Sequence, residues 1–134
     1  MKSKIIFWIF FIGLFSACDD LINSAIQCTI KDVRLESKNL RIGAIGRNYY
    51  ETISANVKND PNDDYYRYSF YLTGKLQKGL QYYSEGNKFT ITGVPEEAGT
   101  INFQLTVEVT LDEEELGFCT ETGKSAYTLT VNER

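Results

Sequence analysis

The sequence predicts an all-β domain of about seven strands, arranged as two antiparallel sheets packed face to face. Apolar side chains recur at every second position through five separate runs, the pattern of strands buried on one face only. Clusters of Asp, Asn, Gly and Pro interrupt those runs at short intervals. Beyond residue 17 no stretch sustains the helical period of 3.6.

In the run from Tyr50 to Val57, Ile53, Ala55 and Val57 share one face, and Thr52, Ser54 and Asn56 share the other. The tract Asn59 to Asp64 (NDPNDD) ends it, because Asp and Asn bond their own backbone and Pro presets φ for a turn. From Tyr65 to Leu72, Tyr66, Tyr68, Phe70 and Leu72 face inward, opposed by Tyr65, Arg67, Ser69 and Tyr71. Ser84 to Asn87 supplies a glycine turn before Lys88 to Thr92, which turns Phe89 and Ile91 inward. After the turn at Glu96 to Thr100 comes the most regular run. There Ile101, Phe103, Leu105, Val107 and Val109 alternate with Asn102, Gln104, Thr106, Glu108 and Thr110. A last strand, Ala126 to Val131, buries Tyr127, Leu129 and Val131. Strands solvated on one face pack stably as a sandwich.

The opening stretch, MKSKIIFWIFFIGLFSACDD, differs in character. Lys2 and Lys4 precede an apolar run from Ile5 to Phe15, shorter than the about 20 residues a spanning helix needs. A charged start, a short apolar core and small residues before a break describe an export signal. Ordinary cleavage after Ala17 would put the bulky Phe15 where a small residue is required. The string Leu14-Phe15-Ser16-Ala17-Cys18 instead resembles the lipobox of bacterial lipoproteins, with Phe15 in place of the usual aliphatic residue. That resemblance implies loss of residues 1–17 and acylation of Cys18 by chains such as palmitate. It also implies residence in the bacterial cell envelope, with the outer membrane or cell surface favoured. Each buried CH₂ contributes about 0.8 kcal/mol, and two or more chains anchor stably where one does not. Residues 18–27 then form a tether, and residues 28–134 form the domain.

The remaining 117 residues suffice for one domain. Lys2 and Lys4 leave with the signal, so twelve basic residues face eighteen acidic ones, a net charge of −6. Such a surface repels phosphate backbones and excludes nucleic acid as the expected partner. The single tryptophan, Trp8, lies in the signal, and the chain has no histidine. With Cys18 acylated, Cys28 and Cys119 form an even pair with one connectivity, suited to an oxidising compartment. A disulfide there would close about 90 residues, worth roughly 4–5 kcal/mol at most. The alternative is two reduced, buried cysteines, although both are flanked by polar residues.

A recurrent order of short motifs follows Ile42. The chain reads Leu76-Gln77-Lys78-Gly79-Leu80, Gly93-Val94-Pro95, Ala98-Gly99-Thr100 and Phe103-Gln104-Leu105-Thr106-Val107, and closes on Tyr127 to Val131. This order resembles a family of immunoglobulin-like domains close to the cadherin-like domains of dystroglycan type. The resemblance implies an immunoglobulin-like β-sandwich and a role in recognising protein or glycan. The glycines and proline of the pattern also serve the scaffold, since Gly93 permits a sharp turn and Pro95 removes a ladder donor.

Two acidic tracts carry weak Ca²⁺ candidates, Asp60, Asp63 and Asp64 in one, and Asp112 with Glu113, Glu114 and Glu115 in the other. Immunoglobulin-like topology would place both at the end of the N-terminus, with Cys28 near Cys119. The calcium-binding relatives carry an aspartate just after the core strand, where this chain has Val109, and no EF-hand spacing is present. A solvated acidic rim explains the same residues, so no cofactor is expected, with Ca²⁺ as the alternative. Tyr65, Tyr71, Tyr82 and Tyr83, with Arg67, form a candidate binding face, because tyrosine joins rigid apolar area to a polar tip. Ordinary cross-strand pairing is the competing explanation. Without histidine a Ser-His-Asp or Cys-His arrangement is excluded, and no phosphate-cradling loop or Cys/His cluster appears. The expected function is therefore a non-catalytic binding module, not an enzyme. The alternatives are a structural spacer or accessory subunit of an envelope complex, and a calcium-dependent adhesion domain.

Overall fold

Alternating burial along long strands builds two sheets whose inner faces meet. The computed structural model describes residues 32–58, 66–111 and 120–133. The strands are β1 (Asp32–Leu35), β2 (Gly43–Ala44), β3 (Tyr49–Lys58), β4 (Tyr66–Thr73), β5 (Leu80–Glu85), β6 (Lys88–Gly93), β7 (Gly99–Leu111) and β8 (Thr120–Asn132). One sheet runs β1-β3-β6-β5 and the other β2-β8-β7-β4. Neighbours are antiparallel except for the short β2–β8 contact. With β1 and β2 read as one strand divided between the sheets, this is the seven-strand order of an immunoglobulin-like sandwich.

The inward positions named by the alternation are the core. Ile53, Phe89 and Ile91 from one sheet meet Leu105, Val107 and Leu129 from the other, all fully buried. Each such side chain contributes about 1.5–3 kcal/mol relative to exposure. Tyr66, Tyr68, Phe70 and Leu72 of β4 pack on this core from the inner face but stay half-buried, because β4 is an edge strand.

Three strands escape the alternation. β1 has four residues and β2 has two, too few to show a period. β5 is an edge strand with five of its six residues exposed, so neither face is marked by apolar residues. The last strand also begins earlier than its pattern suggests, at Thr120 and not near Ala126. Its first inward positions are Glu121, Gly123 and Ser125. A Cβ on Gly123 would lie 2.6 Å from the Val33 carbonyl oxygen, so glycine is what lets β1 of the opposite sheet close over β8.

Gly79 and Gly93 show what the Leu-x-x-Gly-Leu and Gly-x-Pro motifs do physically. Leu80 and Gly93 are partners in the β5–β6 ladder, and Val94 donates its N–H to the Gly79 carbonyl at 3.1 Å. Gly79 has φ 86° and Gly93 φ 134°, both positive. A Cβ on Gly79 would meet the Val94 carbonyl oxygen at 2.0 Å, and one on Gly93 would meet the Gly79 oxygen at 2.2 Å. Two motifs whose glycines lie fourteen positions apart are therefore the two halves of one backbone contact. Gly86, at the β5–β6 turn with φ 54°, has open space around its Cβ position. In urea unfolding, Gly79→Ala should cost more than about 3 kcal/mol, since backbone clash adds to positive-φ strain. Gly86→Ala should cost only about 1–2 kcal/mol, the strain alone. Equal losses would refute the close-approach explanation.

Candidate binding face

The outer face of the β1-β3-β6-β5 sheet carries the groove. Residues 36–42 leave β1, cross the side of the sandwich and enter β2 in the other sheet. Their path is held at several points. Glu36 donates its N–H to the Ser54 carbonyl at 2.8 Å and accepts the Tyr127 hydroxyl at 2.7 Å on its own carbonyl. The Tyr49 hydroxyl donates to the Arg41 carbonyl at 2.9 Å, and burial pushes the pKa of Tyr49 up to about 12. Leu40 turns into the core.

Glu51 is the unusual residue here. It sits on β3 at the inward parity of Tyr49 and Ile53, yet carries a carboxylate. Lys38 meets it at 2.6 Å and also donates to the Thr52 carbonyl at 2.8 Å, while the Arg41 guanidinium lies 3.6 Å away. Burial raises the Glu51 pKa, but the Lys38 hydrogen bond, the Arg41 backbone N–H and the two positive charges outweigh it. The carboxyl therefore titrates below its ordinary value of 4.5.

Lys38 and Glu36 form one bank of a groove of about 710 Å³. Its floor is Thr52 and Ser54 of β3 with Thr90 of β6, and a 3.2 Å hydrogen bond joins the hydroxyls of Thr52 and Thr90. Thr90 is almost fully buried there. Tyr50 and Tyr83 close one end, 56 % and 46 % exposed. The interaction of their side chains separates their titration, lowering Tyr50 and raising Tyr83. The opposite end is the β5–β6 hairpin with Glu85, Asn87 and Lys88. Asn87 is pinned to β3, accepting the Ala55 N–H at 2.8 Å and donating its side-chain amide to the Ala55 carbonyl at 3.1 Å.

Among the described residues of the sequence-predicted face, only Tyr83 belongs to this groove. Arg67 and Tyr71 project from the outer face of the other sheet, and Tyr82 points to the inner side of β5, where it stacks on Phe89 at 5.0 Å. The four described residues, Arg67, Tyr71, Tyr82 and Tyr83, therefore do not form one surface, and Tyr65 lies outside the described residues. So do Cys18, Cys28 and Cys119, and the calcium candidates Asp60, Asp63, Asp64 and Asp112. The described strand ends beside both acidic tracts, Lys58, Tyr66, Leu111 and Thr120, do lie at one pole of the sandwich. Among the described residues no group of three His, Cys, Asp or Glu could hold a metal ion. Sequence reasoning missed Tyr50, Glu36, Lys38 and Asn87. Tyr50 shares the outward parity of Thr52 and Ser54, and that was the available signal.

No protein-family model matches the chain, and neither does any curated protein sequence. Solved structures do. The chain is similar to a PapD-like domain of human CEP192, at 15 % identity and TM-score 0.47, covering 79 % of this chain and 87 % of that one. It is similar to a chimeric titin Z1Z2 functionalized with an exogenous decorin peptide, at 9 % identity and TM-score 0.45, over 78 % and 98 %. A third is the PKD domain of human KIAA0319, at 21 % identity and TM-score 0.42, over 78 % and 84 %. The strand order already establishes the fold, and these likenesses add nothing about ligand or activity.

The Glu51 contacts generate a pH dependence. A carboxylate whose folded pKa is depressed stabilises the fold above its unfolded pKa, and that stability is lost as pH falls through the folded value. Denaturant unfolding from pH 6 downward should show stability declining below about pH 4.5, with a shallower decline in Glu51→Gln. Superimposable profiles for the two proteins would remove Glu51 as the responsible group.

Proposed function

We propose that this chain is a lipid-anchored module of the bacterial cell envelope whose sandwich binds a protein or glycan without transforming it. The groove on the outer face of the β1-β3-β6-β5 sheet carries this reading. It combines a concave, side-chain-lined surface of about 710 Å³ with two half-exposed tyrosines that stand together at one end of it. That volume lies in the range of ligand sites. The resemblance of Leu14 to Cys18 to a lipobox supports attachment through Cys18, with residues 18–27 as the tether. The chain has no histidine to act as a general base, and Glu36 is engaged with the Ser54 backbone N–H at 3.3 Å. Both features favour binding over catalysis.

Two measurements test the proposal. In detergent phase partitioning, the native chain should enter the detergent phase, and Cys18→Ala should shift to the aqueous phase. Unchanged partitioning would remove the lipid anchor. Full-length protein in detergent should be retained on isolated envelopes or their polysaccharide fraction. The Tyr50→Ala/Tyr83→Ala double variant should lose about tenfold or more in apparent affinity. Equal retention of both proteins would exclude the groove as the binding site.

A further inference from the structure

We infer that the groove takes an uncharged glycan, as an oligosaccharide segment, and not a peptide or an anionic ligand; this rests on the groove being the binding site. The first argument is what lines it. The lining contains hydroxyl, amide, carboxylate and ammonium groups and two tyrosine rings, with no aliphatic side chain. Peptide recognition relies on buried apolar anchors or on a sheet edge that adds a strand. This surface offers neither, because it lies on a sheet face where the backbone of β3 and β6 is committed to ladders.

The second argument is charge. Glu36 and Glu85 stand at opposite sides of the floor and repel an anionic ligand. Lys38 does not offset them as an anion ligand, because it is held by Glu51 at 2.6 Å and by the Thr52 carbonyl. Lys88, opposite Glu85 in the β5–β6 ladder, leaves the lining without net positive charge. The whole chain is acidic as well, at −4. A neutral ligand avoids all of this.

The third argument is complementarity to a polyol. The Glu85 carboxylate presents two oxygens that can accept from a vicinal hydroxyl pair. Thr and Tyr hydroxyls both donate and accept, matching sugar hydroxyls of either polarity. The exposed flanks of Tyr50 and Tyr83 offer apolar faces to the C–H side of a sugar ring. The five residues of β3 from Tyr50 to Ser54 span about 13 Å at strand rise, longer than one sugar ring.

The test uses full-length protein in detergent and calorimetric titration with neutral hexasaccharides (cello-, malto-, xylo- and manno-series) beside hexagalacturonate and hexamannuronate. Binding of a neutral series is expected, with a loss of about tenfold or more in Tyr83→Ala. Tyr50→Phe, which keeps the ring and removes its hydroxyl, should lose about two- to tenfold. Glu85→Gln should retain the fold and weaken binding, while Tyr71→Ala, on the other sheet, should leave it unchanged. Preference for the anionic series would overturn the inference, as would neutral binding indifferent to Tyr83 and Glu85. If no glycan binds but the groove variants still reduce envelope retention, the ligand class is wrong and the site stands. If neither responds, both the site and its ligand fall.

Discussion

The salt bridge between Glu51 and Lys38 fixes the segment on which both the closure of the sandwich and the shape of its groove depend. An immunoglobulin-like sandwich whose first strand divides between two sheets needs a connection along its side, and an unheld connection would expose the core. Residues 36–42 are held by Leu40 in the core and by two tyrosine hydroxyls, and their ends are bonded to β3. Glu51 completes this from below, at a strand position where an apolar residue would be the simpler choice. A partly buried carboxylate is costly unless it is paired, and removing its partner leaves the charge without compensation. The pairing therefore specifies one path for the segment more strongly than it adds net stability. Because Glu36 and Lys38 lie on that path, the bank of the groove inherits the precision of the closure.

The two sides of the sandwich are managed by opposite means. On the β1/β8 side a missing side chain, at Gly123, brings backbone to within contact of backbone. On the β4/β5 side no strand crosses, and aromatic rings fill the gap. The Phe89 ring lies 5.8 Å from Phe70 of the opposite sheet and 5.0 Å from Tyr82 at the edge. Tyr82 can remain 50 % exposed and still serve the core, since its ring covers Phe89 while its hydroxyl reaches solvent. Its exposure is that of a lid on the core, which explains why it does not join Tyr83 in the groove.

Sequence periodicity read the core correctly because burial and alternation are the same physical fact: Ile53, Phe103, Leu105, Val107 and Leu129 were all placed by it. It also separated Tyr66 and Tyr68 from Arg67 and Tyr71 on β4. It did not reveal β5, whose edge position leaves no contrast between faces, nor the start of β8, where Gly123 and Ser125 replace large apolar residues. The candidate site was less legible for a related reason. Tyr82 and Tyr83 are neighbours in the chain and therefore point to opposite faces of β5. Alternation also cannot say that β4 and β5 belong to different sheets. Tyr50 and Tyr83 lie 33 positions apart and meet only through β6, whose Thr90 is the partner of Thr52 on one side and Tyr83 on the other. Such a site follows from strand order, and strand order is a property of the whole chain.

The period of two divides the labour of this sheet. On β3, β5 and β6 one parity supplies Ile53, Phe89 and Ile91 to the core, and the other supplies Tyr50, Ser54, Tyr83 and Glu85 to the groove. Exchanging an exposed groove residue leaves packing intact and typically alters stability by no more than about 0.5 kcal/mol, whereas truncating a core partner costs about 2–5 kcal/mol. The Tyr83 and Glu85 side of the groove can therefore change its side chains without endangering the fold. The opposite bank lacks that freedom, because Lys38 also compensates Glu51. Thr90 is similarly constrained, being buried beneath the tyrosines and bonded to Thr52. This face thus has a fixed bank and an adjustable one. Sequence differences between domains built on this plan should accumulate on β5 and its hairpin, where the chain is held least by the core.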